Sequence, residues 1–100
     1  MELLTQELRQ QLPPLYSQEH VADPMVICKF FHPLSNMTWY AIEFDGEDIF
    51  FGWVHSDFSE LGYFSLNEMQ EVQVMGLGIE CDLHFTPKKL SEVKKLHEHS

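Results

Sequence analysis

One hundred residues, 44% of them hydrophobic and 13% aromatic, suffice for one folded domain (1–100) with its own core and are too few for two. Sixteen acids against six bases leave a net charge of −10, which opposes direct contact with nucleic acid or an anionic membrane and suits a protein partner with a basic surface. The N-terminus is acidic with no apolar signal core, and no run approaches the ~20 apolar residues of a membrane helix, so Cys28 and Cys81 read as reduced thiols of a cytoplasmic protein.

Thr5 caps a short helix through about Gln11, with Leu4, Leu8 and Leu12 on one face, and Pro13-Pro14 stops it. Leu15 to Asp23 reads as a connection closed by Pro24. Met25 to Phe31 is an expected strand and His32 to Asn36 a turn. Met37 to Phe44 and Ile49 to Val54 are two more strands, joined through Asp45-Gly46, a strong hairpin signal. A two-residue turn there would oppose Glu43 to Asp48. A four-residue loop avoids that repulsion and sets Phe44 against Ile49, Ile42 against Phe51 and Tyr40 against Trp53; it is the register expected. Either register puts Tyr40, Ile42, Phe44, Ile49, Phe51 and Trp53 on one face, and Trp39, Ala41, Phe50 and Val54 on the other. Both faces are apolar and both need cover.

Ser65-Leu66-Asn67-Glu68 has the form of a capping box that opens a helix to about Val72. Gly76-Leu77-Gly78 is a break, and Ile79 to Phe85 the last expected strand. Thr86 and Pro87 then open a C-terminal helix with Leu90, Val93 and His97 on one face. In that reading Lys88 and Lys89 lie at the end of the helix that the dipole disfavours for cations. The expected fold is α+β: a small antiparallel sheet of about four strands, with short helices at the N-terminus, in the middle and at the C-terminus.

Several strings occur in a telling order: Leu3-Leu4-Thr5-Gln6-Glu7-Leu8-Arg9, Leu12-Pro13-Pro14-Leu15-Tyr16, Lys29-Phe30-Phe31, Trp39 to Asp48, and Glu60-Leu61-Gly62-Tyr63-Phe64-Ser65-Leu66. Together they resemble the family catalogued as domain of unknown function 2958, from about Leu3 to Leu90. The resemblance implies a small stand-alone protein carried on bacterial plasmids and integrative elements, often near antirestriction genes. It brings no activity, cofactor or site residue with it, and His32, His55 and His84 fall outside the shared strings.

Chemistry-bearing patterns are few. Cys28 with His32 and Cys81 with His84 look like two zinc half-sites. Residues three apart in a strand point to opposite faces, however, and residues four apart lie roughly 13 Å from each other. No metal and no cofactor are expected. There is no Gly-x-Ser-x-Gly, and Gly76-Leu77-Gly78 lacks the third glycine of a dinucleotide fingerprint, so no catalytic residue is assigned. Trp39, Phe50 and Trp53 come without a basic groove and read as core rather than as a stacking platform.

Acids are densest at the hairpin tip, where Glu43, Asp45, Glu47 and Asp48 put four carboxylates in six residues. Their spacing does not fit a calcium-binding loop. Asp57 and Glu60 follow in the next loop and extend the same edge. These six are the candidate partner-binding residues. The function expected is a non-enzymatic protein-binding module of a bacterial mobile element, which presents DNA-like carboxylates to a host defence protein such as a restriction or CRISPR nuclease. The alternatives are a structural or regulatory accessory protein, homodimeric through a sheet or helix face, and a small enzyme of unrecognised type.

Overall fold

A computed structural model describes residues 2–98. Thr5 is extended and its hydroxyl accepts the Leu8 N–H at 3.2 Å, which starts α1 (Gln6–Gln11). The prolines end it, and the Pro13 carbonyl accepts the Phe44 N–H at 2.9 Å, tying the helix exit to the sheet. The expected strand from Met25 to Phe31 is split at Ile27 into β1 (Met25–Val26) and β2 (Cys28–Phe31). Next come β3 (Thr38–Phe44), β4 (Ile49–His55), β5 (Glu60–Ser65), α2 (Leu66–Glu71), β6 (Glu80–Cys81), β7 (Lys88–Lys89) and α3 (Leu90–Leu96). The main sheet is antiparallel in the order β5-β4-β3-β2-β6, and β1 pairs with β7 in a second, two-stranded sheet. The α+β class and the three short helices are as expected. Strand β5 is the addition, and the expected strand from Ile79 to Phe85 shrinks to the two residues of β6.

The β3–β4 hairpin keeps the expected register at its open end, with Tyr40 opposite Trp53, and departs from it near the tip. Ala41 faces Gly52, but the next pairs are Glu43 with Phe51 and Phe44 with Phe50, so Ile42 is an extra residue in a β-bulge. Gly52 is what permits the close approach: a Cβ there would come within 1.9 Å of the Tyr40 carbonyl oxygen. The bulge reverses the alternation expected for β3 beyond it. Phe44 moves to the face of Phe50 and stacks on it at 4.5 Å, while Glu43 moves to the face of Phe51.

Each face carries its own core. On one side Leu4 and Leu12, which flank α1, and Leu66 and Met69 of α2 pack onto Phe30, Phe44 and Phe50. On the other, Leu90 and Val93 of α3 cover Val26, Tyr40, Ile42 and Trp53. Phe51, expected in the core, is only half-buried, because that second core ends at Trp53 and Phe51 leans on Tyr63 instead.

The last helix starts at Leu90, not at Thr86. Lys88 and Lys89 pair with Val26 and Met25 as a strand, and Lys89 is itself the N-cap of α3 with no side-chain cap bond, so both cations still stand at the helix end where the dipole opposes them. Asp23 supplies the cap from across the chain: its carboxylate accepts the Ser91 N–H at 2.9 Å and the Ser91 hydroxyl at 2.6 Å. The hydrogen bonds from Ser91 hold that carboxyl below the usual carboxylate range. Five of the six bases, Lys29, Lys88, Lys89, Lys94 and Lys95, lie on or beside the α3 side. The sixth, Arg9, is turned onto the Phe44 ring and the Gly46 carbonyl. Among the described residues no helix is long and apolar enough to cross a membrane.

Candidate protein-interaction surface

Three of the four hairpin-tip carboxylates accept hydrogen bonds from within the chain, although only Glu43 is buried and Asp45 stays exposed. Asp45 Oδ1 accepts the backbone N–H groups of Glu47, Asp48 and Ile49 at 2.7–3.0 Å, and the bonds from Asp48 and Glu47 hold its carboxyl below the ordinary range. Asp48 accepts the Ser65 hydroxyl at 2.9 Å and the Asn67 N–H at 2.7 Å, while Ser65 Oγ accepts the Glu68 N–H. The capping box read from Ser65 to Glu68 is thus completed by an acid from the hairpin.

Glu43 corrects the expectation of an exposed tip acid. It is 3% exposed, with Oε1 accepting the Tyr16 N–H at 2.9 Å and Oε2 the Gln18 N–H at 2.7 Å. These bonds organise the turns after Pro14, where Tyr16 adopts φ +71°. Of the four tip acids, only Glu47 has a carboxylate with no hydrogen-bond partner among the described residues, and it is exposed.

Asp57 and Glu60, by contrast, are both exposed. Asp57 is steadied by the Asn36 side-chain amide at 2.7 Å, and Glu60 opens β5 opposite Val54. Between and beyond them stand Phe58, 87% exposed, Leu61, 48%, and Tyr63, 58%. Ser56 and the Ser59–His55 contact (2.7 Å) shape the loop that holds Phe58 out. This patch is not legible in the sequence, since Phe58 and Tyr63 look like core residues until the α3 core is seen to stop at Trp53.

Leu61 and Tyr63 also border a groove of about 420 Å³, lined with them by Tyr16, Val21 and Phe51, and by Glu19, Glu43 and Lys94. A cavity of about 500 Å³ lies at the other end, against Leu3, Met69, Gln73, Ile79 and Cys81. Its acids, Glu2 and Glu80, are exposed, and burial pushes the Cys81 thiol up, with Asp82 adding to the shift. Cys28, fully buried, is pushed up further by the same cause. Neither thiol has the lowered pKa that a nucleophile requires.

The histidines serve structure in two places. His32 Nδ1 accepts the Leu34 N–H, so its Nε2 carries the proton that reaches the Leu77 carbonyl at 3.0 Å. This pins the tight turn at Met75-Gly76, where both residues have positive φ, against the sheet. On the α3 side His97 Nε2 meets the Tyr40 hydroxyl at 2.6 Å and its ring lies 3.7 Å from that of His55. Burial pushes the Tyr40 hydroxyl up to about 12, with Asp82 adding to it. Burial, then His55 and Lys29, lower the affinity of His97 for a proton below its ordinary 6.5.

The unfolded chain therefore binds that proton more readily than the folded one. Stability is expected to fall as pH drops through 6.5, and thermal melts of the wild type between about pH 7.5 and 5.5 should show a steeper decline than those of His97→Gln. Equal slopes would remove His97 as the source.

Among the described residues no carboxylate orients His55, and no group of three or more His, Cys, Asp or Glu side chains could hold a metal ion. What the geometry offers is a contact surface: exposed aromatic and aliphatic side chains interleaved with two acids along the edge of a sheet. No curated protein and no solved structure matches the chain. The model of a protein family of unknown function (DUF2958) matches residues 3–99, and the chain belongs to that family.

Proposed function

We propose that this protein is a non-enzymatic protein-binding module that works in the bacterial cytoplasm and engages a partner with a basic surface. The observation that carries the reading is the segment from Asp57 to Tyr63. It exposes three large apolar side chains within six residues and sets Asp57 and Glu60 among them. Exposed aromatics supply contact area, and acids around them steer and orient a cationic partner. The mobile-element setting, and a host defence protein as the target, extend the proposal on the strength of the family resemblance and the charge of −10. Because three of the four hairpin-tip carboxylates already accept hydrogen bonds within the chain, the proposed contact moves from a DNA-like acidic tip to the edge beside β5.

The test is association with a partner captured from bacterial lysate and then purified. Raising salt from about 0.05 to 0.3 M should slow association, and Asp57→Lys with Glu60→Lys should slow it roughly tenfold or more. Reversing Glu92 and Glu98 on the α3 side should do much less. Association that ignores both salt and the Asp57 and Glu60 reversals would discard this reading in favour of an accessory protein whose charge serves solubility.

A further inference from the structure

We infer that the partner docks by adding an extended segment to the outer edge of β5, a segment in which basic and apolar residues alternate. This rests on the protein-binding reading above and names its mode.

The edge itself is the first argument. β5 pairs with β4 from Val54–Glu60 to Ile49–Ser65, and among the described residues no other backbone hydrogen bond reaches residues 60–64. Five residues of unpaired strand edge are a template for another chain, and proteins blunt such edges with lysine, proline, a bulge or a covering loop. β5 has no lysine and no proline, and its pairing with β4 runs without a register shift. The opposite edge, β6, is two residues long and offers little.

The side chains beside the edge are the second argument. An added strand presents every second residue to one face, and strand-addition sites read those residues with pockets. Leu61 and Tyr63 stand on the α3 face of β5 and, with Tyr16 and Val21, wall the groove of about 420 Å³. That groove can take apolar side chains from the incoming strand. On the other face a Cβ at Gly62 would meet nothing within 4 Å, and the φ of Gly62 is not positive. Gly62 thus leaves that face of the edge open, with no side chain to obstruct an incoming strand.

Charge selects the occupant. Asp57 and Glu60 stand at the start of the edge and Glu19 lines the groove, against Lys94 alone. A basic segment is complementary to that set. A second copy of this chain brings −10 and the same acids.

The experiment is hydrogen exchange on the full chain at about 0.1 M salt, with three synthetic peptides of about eight residues. One alternates Lys and Val, one alternates Glu and Val, and one is the Lys–Val peptide broken by a central proline. The Lys–Val peptide should slow exchange of the outward-facing amides of residues 60–65 by on the order of tenfold. The other two peptides should leave them unchanged, and Leu61→Lys with Tyr63→Lys should abolish the protection. Equal protection by the Glu–Val peptide overturns the proposal, as does protection that grows with protein concentration alone, the sign of a second copy. Salt-sensitive binding of the Lys–Val peptide with β5 amides unprotected overturns strand addition and leaves the protein-binding reading standing.

Discussion

Phe50→Ala should lower the unfolding free energy by about 3–5 kcal/mol, read as a shift of the urea midpoint at unchanged slope. Phe50 is 0% exposed and sits where the first core is densest. Its ring lies 4.5 Å from Phe44, 5.1 Å from Phe64 and 5.4 Å from Phe30. Truncation removes contacts with strands on both sides of β4 at once, and β3 and β5 cannot close over the void without breaking the pairing that flanks Gly52. Phe51→Ala, one residue on, should lose clearly less, because Phe51 is half-buried and opens on the groove. Equal losses at the two positions would contradict the bulge-shifted register that separates them.

Glu43→Lys should destabilise by a similar amount, about 3–5 kcal/mol, since it leaves a cation buried without a partner and the Tyr16 and Gln18 N–H groups without an acceptor. Hydrogen bonds to a charged group are worth about 1.5–3 kcal/mol each. Glu43→Gln keeps one acceptor and should lose less than Glu43→Lys. Glu47→Lys, four residues along, is an exposed change and should stay within about 0.5 kcal/mol. A chemical denaturation series over the three variants separates an internal clamp from a surface charge. A Glu43→Lys variant as stable as Glu47→Lys would return Glu43 to the surface.

The contrast between these two acids shows what could be read in the sequence. The hairpin, its open-end register and the three helices were legible because turn chemistry, capping residues and apolar spacing agreed with one another. The place of Glu43 was not. In a regular strand, an acid between Ile42 and Phe44 points away from both, and only the extra residue in β3 turns it to the α3 face. That bulge depends on the close approach at Gly52, a long-range fact. Asp45 and Asp48 were visible as turn residues, yet their pull on backbone groups looked the same as solvated charge.

β5 was hidden for another reason. Gly62 interrupts its pattern, and the apolar residues that would mark a buried strand are partly on the surface. Thr86 and Pro87 suggested a helix start that the pairing of Lys88 and Lys89 with β1 postpones to Leu90. Of the six acids read as a contact, Asp57 and Glu60 stand beside the exposed Phe58, Leu61 and Tyr63, and those side chains define the surface more than the charge does.

The most direct measurement is the hydrogen-exchange footprint of the captured partner on this chain. Protection should concentrate on residues 57–65 and on the groove segment around Tyr16 to Val21, with the hairpin tip at 45–48 unaffected. Protection confined to the tip or to α3, with residues 57–65 exchanging as in the isolated protein, would contradict the account.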